Sequence, residues 1–96
     1  MMSLTTIKNV LQELKPELEA KYHVSALGLF GSVVRDDYTD ISDIDIIVDF
    51  SKPIGIDFID LADLLEKHLD KPVDLVSKRG IKEKYYATIE SAIVYV

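Results

Sequence analysis

The chain has 96 residues, 48% of them hydrophobic, no cysteine and a formal net charge of −6, with a pI near 4.7 and a mean hydropathy of +0.12. That length suits a single domain over residues 1–96, and the lack of cysteine excludes disulfides and thiolate zinc sites. The acidic balance makes nucleic acid an unexpected partner, because such a footprint should be basic, while the high apolar content suggests a surface for another protein or copy.

Leu4, Ile7, Val10, Leu11, Leu14 and Leu18 recur at helical spacing. They predict an amphipathic helix capped by Ser3 or Thr5, with Pro16 as a kink or the start of a following turn. Tyr22 and His23 fall at the helix exit. Residues 27–30 read as a short buried strand, and Gly31-Ser32 as a turn into a helix over about 32–36. A hydrophobic strand over 42–50 follows, then a loop over 51–55. A second helix is expected over 57–68, with Phe58, Leu61, Leu64, Leu65 and Leu69 inward. Residues 72–76 form a short strand and 81–91 a third helix, with Lys78, Arg79, Lys82 and Lys84 near its start. That basic cluster reads as a solvated helix face, or as a contact for ATP phosphates or an acidic partner. Tyr85 and Tyr86 are adjacent, so one can face the core and the other a partner. Residues 93–96 close the chain as a strand or interface segment. This order predicts an α/β (α+β) two-layer domain, with a small mixed sheet and helices packed on it.

Two short motifs carry chemistry. In a strand, residues i and i+2 share a face, so Asp43 and Asp45 project together while Ser42, Ile44, Ile46, Val48 and Phe50 project the other way. Carboxylates this close repel each other, and a hard cation such as Mg²⁺ resolves the conflict. The plain alternative is a strand with acidic residues on its wet face, although aspartate is depleted in strands. Upstream, Gly31 lets a ligand approach the backbone, and free N–H groups at a helix start attract anions. Ser32 adds a hydroxyl, and Arg35 can reach back toward phosphate oxygens. The alternative there is an ordinary turn with Ser32 as N-cap.

Gly31-Ser32-x-x-Arg35, followed by Ser42-Asp43-x-Asp45-Ile46-x-Val48-Asp49-Phe50 and then Val73-Asp74-Leu75-Val76, resembles the minimal nucleotidyltransferases of the DNA polymerase β superfamily. Within it, the chain is most similar to the small prokaryotic antitoxins encoded beside HEPN-domain toxins. The resemblance implies that Asp43, Asp45 and Asp74 hold two Mg²⁺ ions and carry catalysis. It implies that Gly31, Ser32 and Arg35 bind the nucleotide, with ATP as substrate. It also implies that AMP passes to a hydroxyl, expected to be a tyrosine, on a HEPN ribonuclease toxin. Val34 and Asp36 stand where the family commonly has alanine and glycine, which bears on efficiency.

Two other functions fit the same chain. One is a weak or inactive interaction module that neutralises its partner by burial alone. The other is a transferase for a small molecule. No signal-peptide pattern and no apolar run of about eighteen residues appears, so a cytoplasmic location, without membrane contact, is expected. A complex with the toxin or a homo-oligomer is also expected.

Overall fold

The structure, a computed structural model, describes residues 3–35, 38–39 and 41–96. Helix α1 spans Leu4–Tyr22. Ser3 is its cap, with Oγ accepting the Thr6 amide at 3.1 Å. His23 ends it in the left-handed conformation, donating its N–H to the Leu18 carbonyl. Pro16 lies inside the helix and does not end it. Buried Leu11 and Leu18 hold the helix on both sides of the proline. Pro16 and Gln12, whose carbonyl loses its usual donor, are both exposed, so water can take that place.

The remaining elements are β1 (Val24–Phe30), a 3₁₀ turn (Gly31–Val34), β2 (Ile44–Phe50), α2 (Asp57–Leu69), β3 (Val73–Ser77), α3 (Glu83–Ile89), a second 3₁₀ turn (Glu90–Ala92) and β4 (Val94–Tyr95). The helix expected over 32–36 is therefore only a four-residue 3₁₀ turn. Its two β-branched valines point into the core and too few residues remain to propagate an α-helix. Strand β2 starts later than expected because Ser42 is committed to a turn. Its amide donates to the Thr39 carbonyl at 3.1 Å, and its Oγ accepts the Thr39 amide at 3.1 Å.

The four strands lie in the order β3-β2-β1-β4. β1 is antiparallel to β2 and β4, and β2 is parallel to β3. Helix α2 makes the parallel crossover from β2 to β3 and packs with α1 on one face of the sheet. That face carries Leu27, Leu29, Ile44, Ile46, Val48 and Phe50, packed against Ile7, Leu11, Leu18, Leu61, Leu65 and Leu69. A bulge between Val24 and Ala26 turns Val24 onto the same face as Leu27, although the two are an odd number of residues apart.

The opposite face carries Gly28, Asp45 and Ile47, and the side chains of Ile93 and Tyr95, from the segment that adds β4 beside β1, lean over it. A Cβ on Gly28 would lie 2.6 Å from Ile93 Cγ2 and 3.2 Å from Tyr95 Cδ1. That absent side chain is what lets the segment lie close and bury Ile47. The chain end is fixed by the Val96 amide donating to the Leu27 carbonyl at 2.8 Å and by Lys15 Nζ donating to the Val96 carbonyl at 2.9 Å.

Leu65→Ala, at a fully buried position, should cost about 2–5 kcal/mol. Thermal melts should then fall by more than about 10 °C. Ile59→Ala on the same helix, where 62% of the side chain is exposed, should stay within about 0.5 kcal/mol of wild type.

Candidate active site

The carboxylates gather at one end of the sheet, where β1 finishes and the parallel strands β2 and β3 begin. Asp45 is the second residue of β2 and stands in register with Asp74 on β3 and with Phe30 on β1. The side chains of Asp45 and Asp74 share a hydrogen bond. Asp43 lies just ahead of β2 and is exposed, as is Asp74, whereas Asp45 is half-buried. Two backbone contacts hold this register. The Ile44 amide donates to the Pro72 carbonyl at 3.0 Å, and the Val73 amide donates to Glu66 Oε2 at 2.9 Å. Glu66 thus ties α2 to the residue before Asp74. No periodicity marks it in the sequence, because its role exists only once the crossover has formed.

Gly31 follows β1 directly and has φ of +74°. The carboxylate of Asp45 occupies the place where a Cβ on Gly31 would project. The turn and the carboxylate therefore share one corner, and glycine is demanded there both by the left-handed backbone and by the space Asp45 fills. Ser32 lies inside the 3₁₀ turn, whose cap is Phe30. Its carbonyl accepts the Arg35 amide at 3.0 Å. The expected alternative of Ser32 as N-cap is thus not what forms. Val34 packs against the core, and Asp36 lies outside the described residues.

Burial pushes the Asp45 carboxyl up to about 6, with the like charges of Asp74 and Asp43 adding to the shift and Arg35 opposing it. Between pH 3.8 and about 6, Asp45 therefore holds a proton that an isolated aspartate would lose. A hard cation could replace it. Among the described residues no three such ligands close into a metal cage. An ion here would have an open shell completed by water and nucleotide oxygens, which suits Mg²⁺.

The basic cluster lies elsewhere. Lys78 and Arg79 follow the far end of β3, and Lys78 Nζ sits 5.5 Å from the centroid of the Tyr86 ring. Tyr85 is half-exposed, while Tyr86 is hydrogen-bonded to Tyr95.

A mixed sheet with two helices on one face, and a glycine-serine turn abutting paired carboxylates at a strand end, defines a nucleotidyl-transferring enzyme. The chain belongs to the nucleotidyltransferase domain family, whose model matches residues 11–96, and it is a nucleotidyltransferase of the minimal type. It is 39% identical over 97 residues to the protein adenylyltransferase MntA of Thermococcus cleftensis, covering 100% of this chain and 98% of that one. A solved structure described as a candidate minimal nucleotidyltransferase superposes with a TM-score of 0.81 at 28% identity, covering 97% of this chain and 95% of that one. A toxin–antitoxin crystal structure with AMP-PNP matches with a TM-score of 0.67 at 26% identity, covering 98% of this chain and 72% of that one.

Gly31→Ala should destabilise the protein by about 1–3 kcal/mol. It should cost more than Gly55→Ala, because Gly55 also has positive φ but has nothing within 4 Å of its would-be Cβ. Parallel thermal melts of the two variants measure the difference.

Asp45→Asn should raise stability in chelated buffer at pH 7. The folded carboxyl titrates near 6, above its ordinary 3.8, so the folded state binds the extra proton between those values. Wild type then loses stability as pH rises through that window, and the variant does not. The gap should be on the order of 1 kcal/mol at pH 7, after discounting for solvent screening, and should close near pH 4. Melts across this pH range, with and without Mg²⁺, check it.

Proposed function

We propose that this nucleotidyltransferase moves AMP from ATP to a hydroxyl, expected to be a tyrosine, on a cognate HEPN-domain ribonuclease toxin, and so acts as its antitoxin. The observation that carries the reading is the shared corner, where Asp45 packs on Gly31 and faces Asp74. Nucleotide phosphates held at Gly31 and Ser32 would lie against the carboxylates. The match to a protein adenylyltransferase and to a toxin–antitoxin pair with AMP-PNP supports a protein acceptor and an adenine nucleotide.

Asp43, Asp45 and Asp74 are the residues that would hold two Mg²⁺ ions. When bound, such ions lower the pKa of the attacking hydroxyl and neutralise charge on the departing pyrophosphate. The chain's own groups supply the rest. The backbone at Gly31 and the Ser32 hydroxyl hold the triphosphate, and the Arg35 guanidinium adds positive charge beside Asp45. The acceptor oxygen bonds to the α-phosphorus as the bond from that phosphorus to pyrophosphate breaks. The hydroxyl proton passes to Asp74, which is exposed and so can meet an oxygen presented by another protein. Exposed Tyr85 and Tyr95 offer interface area near the same face. Among the described residues no helix is long and apolar enough to cross a membrane, and the reaction proposed is a cytoplasmic one.

Incubation with ATP, Mg²⁺ and the cognate partner should add an AMP-sized mass to the partner, read by intact-mass spectrometry. Asp74→Asn should lower turnover at least about a hundredfold, the scale of one acid–base group, while nucleotide affinity changes only a few-fold. Stoichiometric silencing of the partner by wild type, with no added mass, would replace the enzyme reading with a binding module.

A further inference from the structure

We propose that Lys71 is a positioning residue for the cation site: seated on the Tyr38 ring and bonded to the Thr39 carbonyl, it fixes the turn that delivers Asp43. The proposal rests on the aspartates holding divalent cations, and it names what sets the place of the one that lies outside the sheet.

Asp45 and Asp74 belong to strands, and the ladder between β2 and β3 holds them in register. Asp43 precedes β2 and is paired with neither neighbouring strand, so the residues on either side must place it. On one side the Ile44 amide is bonded to the Pro72 carbonyl. On the other side is the turn closed by Ser42, whose amide donates to the Thr39 carbonyl and whose Oγ accepts the Thr39 amide. The two hydroxyls also lie 3.1 Å apart. These bonds close the turn on itself. They do not fix where it stands relative to β3, and Thr39 and Ile41 are both exposed, so apolar burial does not fix them either.

Lys71 ties the turn down. It lies between α2 and β3, next to the residue whose carbonyl meets Ile44. Its backbone is set from one side by Asp70, which ends α2 in the left-handed conformation and donates its N–H to the Glu66 carbonyl at 2.8 Å. From this base Lys71 Nζ donates to the Thr39 carbonyl at 3.3 Å. It also stands 4.7 Å from the centroid of the Tyr38 ring, within cation–π range. The ring in turn packs against the core. Tyr38 serves here through its face, because its hydroxyl is buried without a hydrogen-bond partner among the described residues. The ammonium thus bridges segments 32 residues apart and makes the approach to Asp43 one body with the start of β3.

A lysine at the acidic end has a second effect of opposite sign. Its charge competes with a bound cation, so on charge alone its removal tightens metal binding. Positioning predicts the reverse, and the sign separates the two.

Mn²⁺ titration, read from the EPR signal of the free ion, tests this. Lys71→Gln should raise the Mn²⁺ dissociation constant at least about tenfold, the low end for a residue that orients a metal ligand. Lys71→Arg, which also donates and stacks on an aromatic face, should stay within about threefold of wild type. Tyr38→Leu removes the ring face and should weaken binding as Lys71→Gln does, whereas Tyr38→Phe should bind like wild type and melt no lower. With ATP and the acceptor protein, Lys71→Gln should need more Mg²⁺ for half-maximal turnover, while kcat at saturating Mg²⁺ changes less than about twofold. Unchanged or tighter Mn²⁺ binding by Lys71→Gln, or failure of Lys71→Arg to restore it, would overturn the proposal. Wild type that binds no Mn²⁺ overturns the metal-site reading and this proposal together. Wild type that binds Mn²⁺ but transfers no AMP overturns only the adenylyltransferase reading, and the titration still decides the role of Lys71.

Discussion

The carboxylate of Asp45 sits against the backbone of Gly31 and beside the carboxylate of Asp74, and the geometry of the candidate site depends on this contact. It joins three chain segments that are distant in sequence. It demands a glycine in the left-handed region after β1, a parallel β3 in register with β2, and a proton or cation to relieve the charge. Each demand is costly alone. A half-buried carboxylate beside two others is destabilising unless something neutralises it, so a protein keeps such a cluster where function needs it.

The rest of the architecture makes that corner rigid. One face of the sheet is sealed by α1 and α2 through buried Ile7, Leu11, Leu18, Leu61, Leu65 and Leu69. On the carboxylate face, Ile93 and Tyr95 of the C-terminal segment lie over Gly28, with Tyr86 of α3 beside Tyr95. Glu66 and the Pro72 carbonyl bind the start of β3 to α2 and β2, so Asp74 cannot drift from Asp45 without breaking backbone hydrogen bonds. Ile47 illustrates the division of labour on the second face. It sits between two aspartates in the strand yet is buried, because Gly28 lets Ile93 and Tyr95 close over it.

Charge is also divided along the strands. The starts of β2 and β3 carry Asp43, Asp45 and Asp74, and their far ends carry Lys52, Lys78 and Arg79 together with Asp49, which pairs with Arg79. A parallel pair with one short crossover places both starts together and both ends together, so the two charge groups end up on opposite rims. The acidic end suits cations and phosphate chemistry. A net charge of −6 hides this separation.

Much was legible from the sequence because it depends on local spacing. The leucine period of α1, the alternation of Ile44, Ile46, Val48 and Phe50, and the mixed two-layer architecture follow from periods of 3.6 and 2. The turn at Gly31 follows from residue type. Boundaries followed less well. Pro16 remained helical because packing on both sides outweighs one missing hydrogen bond, the segment after Gly31 shrank to a 3₁₀ turn, and Ser42 left the strand for a turn with Thr39. What only the tertiary structure decided was long-range. The partnership of Asp74 with Asp45, the need for glycine at position 31 to make room for a carboxylate, and the role of Glu66 all arise between segments brought together by the crossover. Local sequence encodes which face a side chain takes, but not which distant residue it will meet there.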